Sequence, residues 1–352
     1  MMKVAITGET GFLGYYLTQY LKYNKQFEII ELGRDYQKNI TKLKQCDWLF
    51  HCAAVNRGTA VGATNIDITN NLINLLDSND IKINISFMSS IQEDMNNEYG
   101  NSKLECKNLL HQYSIRSNTK FISYKLPNLF GPFGKPNYNS VVATFCYNVV
   151  NDIDCIVNDN AVSLCYVGDV VDIIANLIPQ ETFQTYTISV NDLYDMLLEF
   201  HKSYLHGTIP VLDSNFKIQL FNAYRSYSNN VHKFNRHSDE RGYLIELLKS
   251  GANQSQVFFS TTNPGVTRGN HFHFNKIERF CILKGTAEIN IRKIGTNEKI
   301  SYIINDVDDT VIDMPILYAH NITNIGNTEL ICVFWVNEIF DKDSPDTYFV
   351  EV

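Results

Sequence analysis

The chain has 352 residues, enough for about two domains at ~150 residues each. Its 38 acidic and 30 basic residues leave a formal net charge of −8, which argues against nucleic acid as a partner because no basic face is left to displace counterions from phosphates. Apolar residues are 44% and charged residues 19%, which excludes a disordered chain. Along the first 180 residues, strand-like runs at 4–7, 27–32, 48–53, 83–89 and 121–125 alternate with helical spacing at 12–23 and 66–76. That alternation predicts βαβ units and a doubly wound parallel sheet. A polar stretch over 226–241 reads as a linker. From about residue 240 the texture changes to short strands at 243–248, 255–260, 279–283, 287–292, 299–304, 311–314 and 329–336. Gly251, Asn263-Pro264-Gly265, Gly285, Gly295 and residues 324–327 punctuate them, so an all-β sandwich or barrel is expected there.

No run reaches the ~20 apolar residues of a membrane-spanning helix, so no membrane span is expected. The N-terminus enters a strand-like segment with no signal-peptide core, and the eight cysteines form no CxxC pair. Reduced thiols and a cytoplasmic location are the expectation.

Directly after the first run comes Thr7-Gly8-Glu9-Thr10-Gly11-Phe12-Leu13-Gly14. Glycines at this spacing, between a strand and a helix, let a pyrophosphate approach the amides of the helix N-terminus. The second run ends in Glu31-Leu32-Gly33-Arg34-Asp35, with no acidic residue at its tip and a basic one just beyond. Arg34 therefore favours the 2′-phosphate of NADP, the alternative being a loop arginine paired with Asp35. Farther on, Ser90 ends a strand and Tyr99 precedes Lys103 by four residues, one helical turn on a shared face. A nearby ammonium is expected to lower the phenol so that Tyr99 exchanges a proton with a carbonyl oxygen, with Ser90 holding that oxygen.

The β-rich half carries His271-Phe272-His273, then Glu278, Gly285 and, much later, Pro315-Ile316-Leu317-Tyr318-Ala319-His320. His271 and His273 alternate on a strand and face one side. Three imidazoles and a carboxylate form a first shell for one divalent ion, zinc or another first-row metal.

These motifs carry a resemblance. The first ~230 residues resemble the extended short-chain dehydrogenase/reductases that act on nucleotide sugars, through the glycine start, His51-Cys52-Ala53-Ala54, Leu126-Pro127-Asn128-Leu129-Phe130-Gly131-Pro132 and Tyr166-Val167-Gly168-Asp169-Val170. The β-rich half resembles the cupins, with Leu317 where glycine is usual. The pairing is similar to the bifunctional capsular-polysaccharide enzymes of the CapF type, most specifically over 135–141, 276–280, 335–338 and 345–349. The resemblance implies a Rossmann-like domain over 1–232 and a metal-binding jelly-roll cupin over 233–352. It implies that Gly8, Thr10, Gly11, Phe12, Leu13, Gly14, Arg34, Ala53 and Lys103 bind NADP(H), that Ser90, Tyr99 and Lys103 are catalytic, and that Ser90 and Asn128 contact substrate. The ligands would be His271, His273, Glu278 and His320, most simply for zinc.

The implied substrate is a UDP-linked 2-acetamido-2,6-dideoxy-4-hexulose, which the cupin epimerises at C3 and the reductase reduces at C4 with NADPH. The implied product is UDP-2-acetamido-2,6-dideoxy-L-talose, a precursor of UDP-N-acetyl-L-fucosamine, made by a homodimer. Lys276 and Tyr318 flank the ligand motifs and are the two candidates for the epimerising acid and base. Two further readings stay open, a single-function reductase with a structural cupin and a non-catalytic NADP-binding regulator. The metal's role, catalytic or structural, also stays open.

Overall fold

Val4, Ala5 and Ile6 are fully buried, and the run that carries them is an interior strand of a parallel sheet. The computed structural model describes all residues except 25, 180–181, 206–207, 230, 234–235, 240–241, 246–248, 251–254 and 339–342. Chain contacts divide it into two units, Met1–Val141 with Ala161–Ile188, and Val142–Asn160 with Ser189–Val352. Among the described residues no helix is long and apolar enough to cross a membrane.

In the first unit β1 (Met2–Thr7), β2 (Phe27–Glu31), β3 (Trp48–His51), β4 (Asn84–Ser90) and β5 (Phe121–Leu126) form a sheet of order β2-β1-β3-β4-β5. Every neighbouring pair is parallel. Helices α1 (Phe12–Tyr23), α2 (Ile40–Leu43), α3 (Val61–Ser78) and α4 (Glu98–Ser117) make the crossovers. A core of Leu49, Ile85 and Phe87 with Leu72, Leu76 and Leu110 joins strands to helices. Helix α1 has the expected limits, whereas α3 starts five residues before the expected residue 66. The Gly62 amide there donates to Glu98 Oε1 at 2.9 Å. That cap comes from a distant part of the chain, so local spacing does not reveal it. A smaller sheet follows, β6 (Asn128–Phe130), β7 (Ala161–Tyr166) and β8 (Tyr186–Ser189), beside α5 (Val141–Val150) and α6 (Val167–Ala175) in the chain order.

The second unit contains α5, α7 (Val190–Leu205) and α8 (Asn215–Arg225) as well as the β-rich segment. Its short strands are β9 (Thr208–Ile209), β10 (Val231–Lys233), β11 (Arg236–Asp239), β12 (Gly242–Ile245) and β13 (Lys249–Ser250). Longer ones are β14 (Gln256–Thr262), β15 (Thr267–Phe272), β16 (Glu278–Lys284), β17 (Thr286–Lys293), β18 (Lys299–Asn305), β19 (Thr310–Met314), β20 (Tyr318–Asn324) and β21 (Leu330–Val336), before the short β22 (Tyr348–Phe349). Ten of them form two five-stranded sheets, β10-β19-β16-β21-β14 and β18-β17-β20-β15-β22, while β11 pairs with β12 and β13 with β9. Phe280, Met314 and Phe334 from one sheet meet Ile289, Ile291 and Ile322 from the other. This is the expected fold class, a Rossmann-like parallel sheet followed by an all-β cupin barrel.

Two details differ from the sequence reading. The stretch read as a linker contributes β10, which pairs antiparallel with β19 at the sheet edge. Strands β15 and β20 were absent from the expected runs, because their sequences, TRGNHF and YAHNITN, are too polar to alternate in hydropathy. The turn expected at Gly251 and the end of the strand expected over 243–248 lie outside the described residues.

The glycine turn is held by backbone contact. A Cβ on Gly14 would lie 1.9 Å from the Gly8 carbonyl oxygen. Gly14→Ala must therefore push α1 off the end of β1, and urea unfolding is expected to show a loss of about 3 kcal/mol. An unchanged urea midpoint would show that α1 does not depend on this approach.

Candidate active site and metal centre

The chain moves from β2 on one side of β1 to β3 on the other, so a crevice opens beyond the carboxyl ends of β1 and β3. Gly8 stands there at φ +72°, where a Cβ would be 2.6 Å from the Ala53 nitrogen. The Thr7 hydroxyl spans the same gap, 2.8 Å from His51 Nδ1 and accepting from the Ala53 amide at 3.3 Å. Gly11 is the N-cap of α1 and supplies no capping side chain, and the first turn holds no acidic residue. The amides from Phe12 and Leu13 onward thus begin a helix open to a negative group, with Thr10 exposed at the turn. Arg34, Tyr36, Asn71, Asn74 and Ser78 line an open cleft of about 560 Å³. Asp35 pairs with Lys38 at 3.2 Å, and no ion pair occupies Arg34 among the described residues.

Ser90 ends β4, and its hydroxyl accepts from the Gln92 amide at 3.2 Å. Tyr99 lies in the first turn of α4, which Asn97 caps by accepting from the Gly100 amide at 2.8 Å. Gly100 is the residue the sequence reading passed over. Its Cβ would lie 1.9 Å from the Gln92 carbonyl oxygen, so only glycine lets Tyr99 approach the turn after Ser90. Lys103 is buried, donates to the Met88 carbonyl at 2.7 Å, and has Nζ 5.9 Å from the Tyr99 ring centroid.

The expected lowering of the Tyr99 phenol is corrected by this geometry. Burial pushes it up to about 12, with Tyr138 and Cys106 adding to the shift. Burial also brings Lys103 down to about 8, and its ammonium is committed to a backbone carbonyl. Asn128 is exposed and donates to the Ser163 carbonyl at 3.3 Å.

In the barrel, His271, His273, Glu278 and His320 each offer one ligand atom, all within 4.8 Å of one another. A bulge makes this possible. Gly269 pairs with Asn321 but His271 pairs with His320, so Asn270 is skipped and His271 is turned to the His320 side. β15 ends at Phe272, so His271 lies in the strand and His273 is the first residue after it, and both offer a ligand atom to the same cluster. His273 Nδ1 is 2.5 Å from the Asp346 carbonyl and His320 Nδ1 is 3.0 Å from that of Tyr318. Each ring must donate there, which leaves Nε2 as the ligand atom. Those atoms lie 3.4 Å and 3.2 Å from Glu278 Oε2, and the buried His273 Nε2 makes no hydrogen bond.

Burial alone would raise Glu278, but the His273 and His320 rings that face its carboxylate outweigh it and hold the carboxyl far below its usual range. Burial, with His320 and His273 beside it, brings His271 down to about 3. Neutral imidazoles and an ionised carboxylate are the forms a divalent ion takes, and the donor set fits zinc.

The turn before His320 keeps its geometry without glycine. Leu317 is fully buried at φ 57° and its amide donates to the His273 carbonyl at 2.9 Å. Lys276 Nζ is directed to the Pro345 carbonyl at 2.7 Å and to Glu338 at 3.4 Å. Tyr318 is half-buried, and burial raises its phenol. Lys293 is a further candidate that sequence reading missed. It pairs with Tyr318, two residues beyond the Ile291–His320 pair, so alternation sets Lys293, Tyr318 and His320 on one face. Burial lowers its ammonium. The signal was present in Ala287, Ile289 and Ile291, an apolar alternation whose next member is Lys293.

Fold and site together define a class, a dinucleotide-binding α/β domain joined to a β-barrel with a His/Glu metal cluster. The family described as NAD dependent epimerase/dehydratase matches residues 4–189, and Polysaccharide biosynthesis C-terminal domain matches 237–348. A UDP-2-acetamido-2,6-beta-L-arabino-hexul-4-ose reductase from Pseudomonas aeruginosa is 33% identical over 371 residues, covering 100% of this chain and 99% of that one. The structure of the capsular polysaccharide assembling protein CapF from Staphylococcus aureus matches over 100% of both chains at 33% identity and a TM-score of 0.63. The spore coat polysaccharide biosynthesis protein SpsL of Bacillus subtilis is 24% identical over 125 residues, 33% of this chain and 83% of that one. The chain belongs to the CapF-type branch of the NAD-dependent epimerase/dehydratase family.

His51 behind the glycine turn gives the first unit a pH dependence. It is fully buried, and burial, with Lys103 nearby, lowers it from 6.5 to about 3. Below pH 6.5 the unfolded chain takes up a proton that the folded chain refuses, so the stability present above 6.5 is lost toward 3. Thermal melts of His51→Gln are expected to fall less steeply with acidification than those of the unmodified protein, by up to about 1.4 kcal/mol per pH unit. Parallel profiles would refute the assignment.

Proposed function

We propose that this chain is a bifunctional nucleotide-sugar enzyme of capsule or surface polysaccharide synthesis. Its substrate is a UDP-2-acetamido-2,6-dideoxy-4-hexulose, epimerised at C3 in the barrel and reduced at C4 in the Rossmann-like domain. The product is UDP-2-acetamido-2,6-dideoxy-L-talose, on the way to UDP-N-acetyl-L-fucosamine. The observation that carries this reading is the full-length match to a UDP-4-keto-sugar reductase. Residues 1–232 form the reductase part and 233–352 the cupin part, in a cytoplasmic homodimer.

In the reductase, NADPH supplies the hydride. The uncapped start of α1 receives the pyrophosphate, with Gly8, Gly11 and Gly14 allowing the approach and Thr10, Phe12, Leu13 and Ala53 around it. Arg34 faces the 2′-phosphate from its cleft. Tyr99 is protonated at neutral pH and hands that proton to the C4 oxygen as the carbonyl becomes an alcohol. Ser90 donates to the same oxygen. Lys103, anchored on Met88, sets the positive field beside the forming phenolate. Asn128 contacts the nucleotide sugar.

In the barrel, His271, His273, Glu278 and His320 would hold one zinc ion, which would supply a Lewis acid toward a ketone oxygen or stabilise the fold. The C4 ketone acidifies the proton on C3, so a base removes it and an acid returns a proton to the opposite face. Lys293 and Tyr318 share the His320 face and are the favoured acid/base pair, and Lys276 is held by Pro345 and Glu338. A second reading, reduction alone with a structural cupin, draws support from the relative's name, which specifies only a reductase.

Tyr99→Phe should lower turnover by about 10²–10⁴-fold while NADPH binding persists. Full activity of that variant would defeat the catalytic assignment. Incubating the protein with the 4-keto sugar in D₂O without NADPH separates the two readings. Deuterium at C3 is expected; a protein that reduces the ketone yet never exchanges C3 is a reductase only.

A further inference from the structure

We propose that Asp346 is the positioning residue of the metal cluster. Its main-chain carbonyl and its carboxylate together fix the loop that carries His273. The inference rests on the metal reading above, and its evidence lies in the hydrogen bonds of residues 273–277, the loop joining His273 to Glu278.

Four consecutive amides of that loop are taken by side chains from beyond β21. Phe274 donates to Asp346 Oδ1 at 3.1 Å, while Asn275 and Lys276 donate to Asp346 Oδ2 at 2.7 and 2.9 Å. Ile277 donates to Asn337 Oδ1 at 2.9 Å. Three successive N–H groups around one carboxylate make an anion-binding nest, here filled from within the chain. The Asp346 carbonyl takes His273 Nδ1–H at 2.5 Å, so a single residue sets both the loop and the tautomer of the ligand.

The neighbours of Asp346 keep it there. Pro345 accepts from Lys276 Nζ at 2.7 Å, and Thr347 donates to the Pro345 carbonyl at 2.9 Å. Beyond it, β22 adds to the sheet with Phe349 opposite His271 and Tyr348 opposite Phe272. The Tyr348 ring stacks on Phe272 at 5.4 Å and meets Phe274 edge-on at 5.0 Å. Asp346 itself has φ 39°, in the left-handed region that aspartate adopts more readily than most side chains. The segment is thus a strap over residues 274–277, tied to His273 through the Asp346 carbonyl.

The test uses the full-length chain stripped of metal, with zinc affinity measured against a chelating indicator and the d–d spectrum of the cobalt-substituted protein as a second readout. Asp346→Gly keeps the carbonyl and tolerates the left-handed backbone, so it removes only the carboxylate. It should weaken zinc binding by about 10–100-fold and alter the cobalt spectrum. Asp346→Asn retains an acceptor oxygen and should recover part of the loss. Circular dichroism establishes that each variant is folded; should the glycine variant not fold, a loss in the asparagine variant is required. Unmodified zinc affinity and an unmodified cobalt spectrum in folded Asp346 variants would overturn this inference and leave the metal reading standing. No zinc uptake by the unmodified chain, or undiminished uptake by a His271→Ala/His273→Ala double variant, would overturn both.

Discussion

Two backbone crossings without room for a side chain organise the first unit. At one, Gly14 lets α1 lie against the Gly8 carbonyl; at the other, Gly100 lets α4 lie against that of Gln92. Each crossing draws a helix N-terminus onto the end of a strand, where the parallel sheet leaves a crevice. The first presents uncapped amides, and the second presents Tyr99 beside Ser90. The open helix start of α1 and the placing of Tyr99 therefore rest on one steric condition, met twice. The condition is stringent because the opposing atom is backbone and has no rotamer to yield.

Burial disfavours the charged form in both halves, but its outcome differs between them. In the sheet domain it keeps Tyr99 protonated, brings Lys103 toward neutrality and holds His51 neutral. A protonated phenol is the form that the proposed reduction would need. In the barrel the same desolvation keeps His271 neutral but does not protonate Glu278, whose carboxylate faces the His273 and His320 rings. Neutral nitrogens around one anionic oxygen are suited to a cation. In each half burial sets the protonation states, except where groups facing the site overrule it.

Legibility from sequence followed the range of the interactions. Helix α1, the five parallel strands and most of the antiparallel ones were readable, since their burial imposes a local period. The clustering of His271, His273, Glu278 and His320 was legible because they are rare residue types at informative spacing. What could not be read depends on remote partners: the Glu98 cap on α3, the bulge at Asn270, and the Asp346 bonds to a loop some seventy residues earlier. Strands β15 and β20 escaped for a related reason. Their inward residues include imidazole and amide groups, and these obey the strand alternation without showing it in hydropathy. The Tyr99 pKa was misread because charge proximity was weighed without burial.

The position of Glu278 depends finally on the register of β16. Arg279 follows it and faces the other side, where Nε and Nη2 meet Asp313 at 2.7 and 3.1 Å. Asp313 is the direct cross-strand partner of Arg279, as Met314 is of Glu278. Tyr204 of α7 also donates to Asp313, and Arg225 of α8 reaches the Tyr204 hydroxyl at 3.2 Å and the Met314 carbonyl at 3.3 Å. A buried ion pair of this kind adds little net stability over apolar residues of the same size, but it is intolerant of mispairing. A one-residue slip of β16 would turn Arg279 toward the imidazoles and Glu278 away from them. Such a slip strands a buried guanidinium without its carboxylate, at a cost of several kcal/mol. Helices α7 and α8, though they precede the barrel in the chain, thereby enforce the register that keeps the ligand carboxylate inside it.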